Sequence, residues 1–123
     1  MIQGETFEVK RTFTKADVER FVEISGDQNQ HHITPDDKGR VVVHGLLTAT
    51  LPSIIGGQFN VNGKVFHVEW LKPVYTGDEI VCKLILDKFE QQETRIKVTA
   101  SFEIYNQNTE KVATGYFFGL IAK

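Results

Sequence analysis

Val43-His44-Gly45-Leu46-Leu47-Thr48-Ala49-Thr50-Leu51-Pro52-Ser53-Ile54-Ile55-Gly56-Gly57 is an apolar stretch with no Asp, Glu, Lys or Arg. Its length suits a helix better than a strand, and a helix that is apolar all round belongs in a core. The stretch predicts a buried central helix starting near His44-Gly45. Pro52 lacks a backbone N–H and should kink or shorten it, and Gly56-Gly57 predicts its end.

The residues that follow read as strands. In residues 64–72, Phe66, Val68 and Trp70 share one face, and His67 and Glu69 the other. Pro73 closes that run, and Thr76-Gly77-Asp78 marks a turn. Ile80, Cys82, Leu84 and Leu86 share a face in residues 79–89. Residues 94–105 alternate Ile96, Val98, Ala100, Phe102 and Ile104 with Arg95, Lys97, Thr99, Ser101 and Glu103, the pattern of a strand with one buried and one wet face. Asn106-Gln107-Asn108-Thr109 turns the chain into a last strand over residues 111–121. An antiparallel sheet with one apolar face needs a cover, and the helix at 43–57 is the candidate. The predicted fold is α+β, an antiparallel sheet wrapped around one central helix.

Upstream, residues 5–13 predict a strand carrying Phe7, Val9 and Phe13. Thr14 and Asp17 have the spacing of a reciprocal helix cap, with Phe13 and Val18 placed to staple it. Val18, Phe21, Val22 and Ile24 are read as one helical face, and Gly26 as the helix end. Residues 27–41 have no apolar periodicity and predict a polar loop. Long loops in compact domains are often functional.

The chain has 123 residues, 41% of them hydrophobic and 24% charged. That is material for one domain, residues 1–123, with one core. The net charge of −2 and the lack of a Lys/Arg run argue against nucleic acid as a partner. No segment reaches the ~20 apolar residues of a membrane helix, and Met1-Ile2-Gln3-Gly4 does not open a signal peptide. A cytoplasmic location is expected. The single cysteine, Cys82, lies in an apolar run and reads as a small buried hydrophobe.

Two constellations carry candidate chemistry. Ser25-Gly26-Asp27-Gln28-Asn29-Gln30-His31-His32 sets a carboxylate, an amide and two imidazoles just past a helix. Asp27 and His32 facing one water is an arrangement for general acid–base chemistry. The same pattern also suits a turn in which Asp27 and Asn29 bond only to backbone. In the second constellation, Gly45 at a helix start offers an unpaired N–H to an oxygen that gains negative charge. Packing against the sheet explains a glycine there equally well. His44 beside it is read as bonding to backbone. Ser53 either points at the site or bonds a carbonyl one turn back. His31, His32, Asp36, Asp37 and His44 lack the spacings of a helical metal motif, so no metal is expected.

Phe13-Thr14-Lys15-Ala16-Asp17-Val18 with Phe21, Ser25-Gly26-Asp27-x-Asn29-x-x-His32, Val43-His44-Gly45-Leu46-Leu47-Thr48-Ala49 and Pro73-Val74-x-x-Gly77-Asp78 follow one another in this chain. Together they resemble the MaoC-like, (R)-specific enoyl-CoA hydratases. The resemblance implies a hot-dog fold, a homodimer, and an acyl thioester substrate whose chain enters beside the central helix. It needs no cofactor. Asp27 and His32 would hold the water that attacks the β-carbon of a trans-2-enoyl thioester, Asn29 would buttress their loop, the Gly45 N–H would bind the thioester carbonyl, and Ser53 matches a position near the pocket. Gln30 stands where the family usually has proline, and the stretch from Ile33 to Val43 is shorter than is typical. Hot-dog folds also host thioester hydrolysis, so an acyl thioesterase and a non-catalytic acyl-thioester-binding protein are the competing readings.

Overall fold

A computed structural model describes residues 1–123. Its elements in chain order are β1 (Thr6–Thr12), α1 (Lys15–Ser25), α2 (Gln30–Ile33), α3 (Gly45–Thr48), α4 (Thr50–Gln58), β2 (Asn62–Trp70), β3 (Glu79–Gln91), β4 (Arg95–Tyr105) and β5 (Lys111–Ala122). The strands form one antiparallel sheet in the order β1-β3-β4-β5-β2. This is the hot-dog arrangement of α+β structure, a sheet curled over a central helix. No helix is long and apolar enough to cross a membrane.

The core forms where the alternating faces of β3, β4 and β5 meet the central helical segment. Leu51 and Ile55 from α4 pack into one cluster with Ile80, Leu84, Leu86, Val98, Phe102, Ile104 and Val112. Cys82 belongs to this cluster, and burial raises its thiol pKa to about 12. A thiol so far from ionisation is not a nucleophile.

The structure locates the interruption expected from Pro52 and revises two other details of the sequence reading. The central helix breaks at Ala49, between α3 and α4. Pro52 cannot donate to the carbonyl of Thr48, and its ring crowds that carbonyl, so the break falls one turn before the proline. The helix also runs through Gly56-Gly57 to Gln58. The residue that turns the chain is Asn60, at φ 57°, in the left-handed region that asparagine tolerates. Finally, Ile24 is 82% exposed. It lies six positions past Val18, about 240° round the helix, and so points away from the buried face.

α1 has the cap read from the sequence. The Asp17 N–H donates to Thr14 Oγ1 at 3.2 Å, and the Thr14 N–H donates to Asp17 Oδ2 at 2.9 Å. Phe13 and Val18 are both buried. Gly26, at φ 73°, ends the helix and swings the chain into Asp27.

Candidate active site

The segment after α1 is not wholly irregular. Gln30–Ile33 closes one helical turn, with the His32 N–H donating to the Asn29 carbonyl at 2.9 Å. That turn buries His32 to 7% exposure while Asp27 stays at the surface. Asp27 uses its two carboxylate oxygens differently. Its Oδ1 accepts from the Asn29 N–H at 3.1 Å, making a local turn, while its Oδ2 lies 3.8 Å from His32 Nε2. Asn29 supports the loop through its backbone, because its side chain makes no hydrogen bond.

The tautomer of His32 follows from its partner. His32 Nδ1 is 2.6 Å from the Val42 carbonyl, and a carbonyl only accepts. Nδ1 therefore carries a proton, and in the neutral ring Nε2 presents a lone pair towards Asp27. His44 is fixed in the opposite sense. Its Nε2 donates to the Asp27 backbone carbonyl at 3.1 Å, which leaves Nδ1 buried without a partner. His44 thus ties the base of the Asp27 loop to the start of α3, the backbone role read from the sequence.

Phe21, His44, His32 and His31 stack in series. The ring centroids are 4.7 Å apart for Phe21–His44, 3.7 Å for His44–His32 and 4.0 Å for His32–His31. Partial desolvation lowers the His31 pKa first, and the neighbouring His32 lowers it further. Donor atoms of Asp27, His32 and His44 lie within 4.8 Å of one another, close enough to raise the question of a cation. The His32 and His44 rings are 18° from parallel. The in-plane lone pairs of stacked rings run side by side and do not converge, so the cluster suits proton transfer better than chelation.

His32 opens onto a cleft of about 340 Å³ shared with His31, Gly45, Thr48, Trp70 and Lys72. The Gly45 N–H has no acceptor within the chain. Its carbonyl accepts from the Ala49 N–H and from Trp70 Nε1, each at 2.9 Å. A Cβ on residue 45 would lie 2.7 Å from Trp70 Nε1 and 2.9 Å from its Cε2. The group that needs glycine here is thus the indole of Trp70 on β2, while the Gly45 N–H stays free. Ser53 is not brought to this cleft. It is exposed, eight residues beyond Gly45 and about 12 Å along the helical axis. Ser53 lines a separate cavity of about 190 Å³ with Pro52, Gly56, Gly57, Phe66 and Phe117.

Sequence reasoning placed His31 in the polar constellation without giving it a role, and did not pick out Trp70 or Thr48 for the cleft. Trp70 read as one more sheet-face aromatic, and no local pattern marks a strand side chain that crosses to a helix start. Thr48 is buried with an unpartnered hydroxyl. The stretch from Ile33 to Val43 closes on itself. The Asp36 carboxylate accepts from the Lys38 and Arg40 N–H groups and pairs with the Arg40 guanidinium, which holds its pKa below the usual value.

Residues 3–108 match the family described as MaoC like domain. The chain belongs to the MaoC-like domain family. Among curated proteins, this MaoC-like chain is 29% identical over 108 residues to the mitochondrial 3-hydroxyacyl-[acyl-carrier-protein] dehydratase of Arabidopsis thaliana. The match takes in 80% of this chain and 63% of that relative, so the MaoC-like chain spans under two thirds of its length. Among solved structures, the (R)-hydratase of A. caviae involved in PHA biosynthesis superposes with a TM-score of 0.84 at 23% identity, covering 100% of this chain and 98% of that one. An R-hydratase of Pseudomonas aeruginosa gives 0.82 at 19% identity, covering 99% and 82%. At these identities the structural likeness establishes the fold.

Proposed function

We propose that this protein is a hydratase–dehydratase of acyl thioesters, adding water to a trans-2-enoyl thioester to give a 3-hydroxyacyl thioester. The observation that carries the reading is the pair of acceptors, Asp27 Oδ2 and His32 Nε2, facing each other at 3.8 Å with the His32 tautomer fixed by Val42. That distance is too long for a direct hydrogen bond. A water between them donates one hydrogen to each and keeps a lone pair for the β-carbon.

The chemistry then balances with these groups alone. As the water oxygen bonds the β-carbon, one of its protons passes to the acceptor pair, and electron density moves through the double bond to the thioester oxygen. The Gly45 N–H meets that charge without moving, so it favours the transition state over the ground state. The proton returns to the α-carbon, leaving hydroxyl on Cβ and hydrogen on Cα. Dehydration is the same path reversed. The (R) configuration of the product is taken over from the A. caviae relative.

The test is incubation of the wild-type protein with crotonyl-CoA. Hydration removes the enoyl absorbance, releases no thiol and yields (R)-3-hydroxybutyryl-CoA. Thiol release with the enoyl group intact makes the protein a thioesterase, and binding without either change makes it a carrier or sensor of acyl thioesters.

A further inference from the structure

Gly45 is the residue with the freest backbone in the cleft, and it is held by contacts rather than by its own preferences. The His44 carbonyl before it accepts from the Leu47 and Thr48 N–H groups, each at 3.0 Å. The carbonyl after it accepts from Ala49 and from Trp70 Nε1. Of these donors only Trp70 comes from outside the turn. Its indole atoms also stand 2.7 to 3.2 Å from where a Cβ on residue 45 would lie. Trp70 lines the cleft together with His32, and the residue is 49% exposed. Trp70 is the only tryptophan in the chain.

We propose that Trp70 is a positioning residue of the reaction: its indole N–H fixes the Gly45–Leu46 peptide, directly after the one that carries the Gly45 donor, and its ring is the wall against which a bound thioester lies. The assignment rests on the hydratase reading above. A donor that must meet developing charge is effective only when its direction is set before the reaction. A glycine at the start of a one-turn helix lacks that rigidity, and the indole supplies it from an adjacent strand.

Trp70→Phe keeps an aromatic ring and deletes the N–H. The expected result is a melting temperature lower by a few degrees, as the loss of one hydrogen bond implies, and a kcat for crotonyl-CoA lowered about three- to tenfold, with KM within about twofold of wild type. A purely structural tryptophan predicts the same fall in melting temperature with kcat retained, and that outcome overturns the proposal. A second measurement needs no variant. Butyryl-CoA has no double bond to hydrate, and its binding to the wild-type protein, followed by equilibrium dialysis, should quench or shift the Trp70 emission. Binding by dialysis with unchanged emission refutes the proposal alone. A wild-type protein that neither binds butyryl-CoA nor hydrates crotonyl-CoA refutes the hydratase reading and this assignment together.

Discussion

Gly45→Ala tests whether glycine is required at the cleft for the indole. The added methyl would sit 2.7 Å from Trp70 Nε1, 2.9 Å from Cε2 and 3.2 Å from Cδ1. Comfortable contact is about 3.5–4.0 Å, so the ring has to retreat by about 1 Å. Trp70 is half exposed and has room to swing outward, at the loss of its 2.9 Å bond to the Gly45 carbonyl. That bond is worth about 0.5–1.5 kcal/mol, and residual overpacking adds to it, with overpacked cores losing about 1–3 kcal/mol. Alanine opposes this with up to ~1 kcal/mol of better helix propensity. The net expectation is a loss of about 1 kcal/mol. For 123 residues the unfolding entropy is about 0.26 kcal/mol per kelvin, so Tm should fall by about 4 °C. In a Trp70→Ala background the clash is gone and only the propensity gain remains, so the same substitution should raise Tm. Calorimetry on the wild type, the two single variants and the double variant measures the coupling directly. A rise in Tm with Gly45→Ala in both backgrounds would refute the reasoning.

Thr48→Val removes a buried hydroxyl that has no partner and should stabilise the fold by about 1–2 kcal/mol; a lower melting temperature would mean the hydroxyl is bonded. The two sheet edges differ: β1 carries Glu8, Lys10 and Arg11, whereas β2 and its surroundings expose Val65, Phe66, Trp70 and Leu71. Charged edges resist pairing, so we predict a two-fold dimer through β2, seen by light scattering as a dimer mass at micromolar concentration and as a monomer for Val65→Lys. In the folded state Asp17, Asp36, Glu103 and Glu110 all have pKa values lowered by hydrogen bonds, chiefly from Thr14, Arg40, Lys111 and Lys72 respectively. The unfolded chain therefore binds more protons in acid, so the stability they contribute is complete above about pH 5 and is lost as pH falls through the lowered values. Urea midpoints should dip slightly as pH falls through about 6.5, because the lowered pKa of His31 leaves the unfolded chain to take that proton first, and should decline further below about pH 5; midpoints independent of pH down to about 3 would contradict the assignment.

The sequence carried the layer order and the strand faces because both are properties of periodicity. Alternation along β4 and the uncharged run from Val43 to Gly57 leave few other ways to bury apolar surface. Asp27 and His32 were legible because they sit on one short segment after a capped helix with a glycine at its end. The contacts that complete the cleft were not, since each joins residues far apart in the chain. Trp70 reaches Gly45, His44 reaches the Asp27 carbonyl, and His32 reaches Val42, and nothing local to either partner announces the pairing. Ser53 is a different case: its place on the central helix left proximity to the polar loop open, and two helical turns put it at a different cavity.

The initial rate of crotonyl-CoA hydration by wild type, Asp27→Asn and His32→Ala, each first shown to be folded by its melting profile, tests the central claim most directly. In the proposed reaction a water is held between Oδ2 of one residue and Nε2 of the other, so removing either acceptor would leave it held from one side only. Measurable wild-type turnover is predicted, with a fall of about 100- to 10,000-fold in each variant, the range for a lost general acid–base group. A folded Asp27→Asn protein that hydrates crotonyl-CoA at near the wild-type rate would contradict the account.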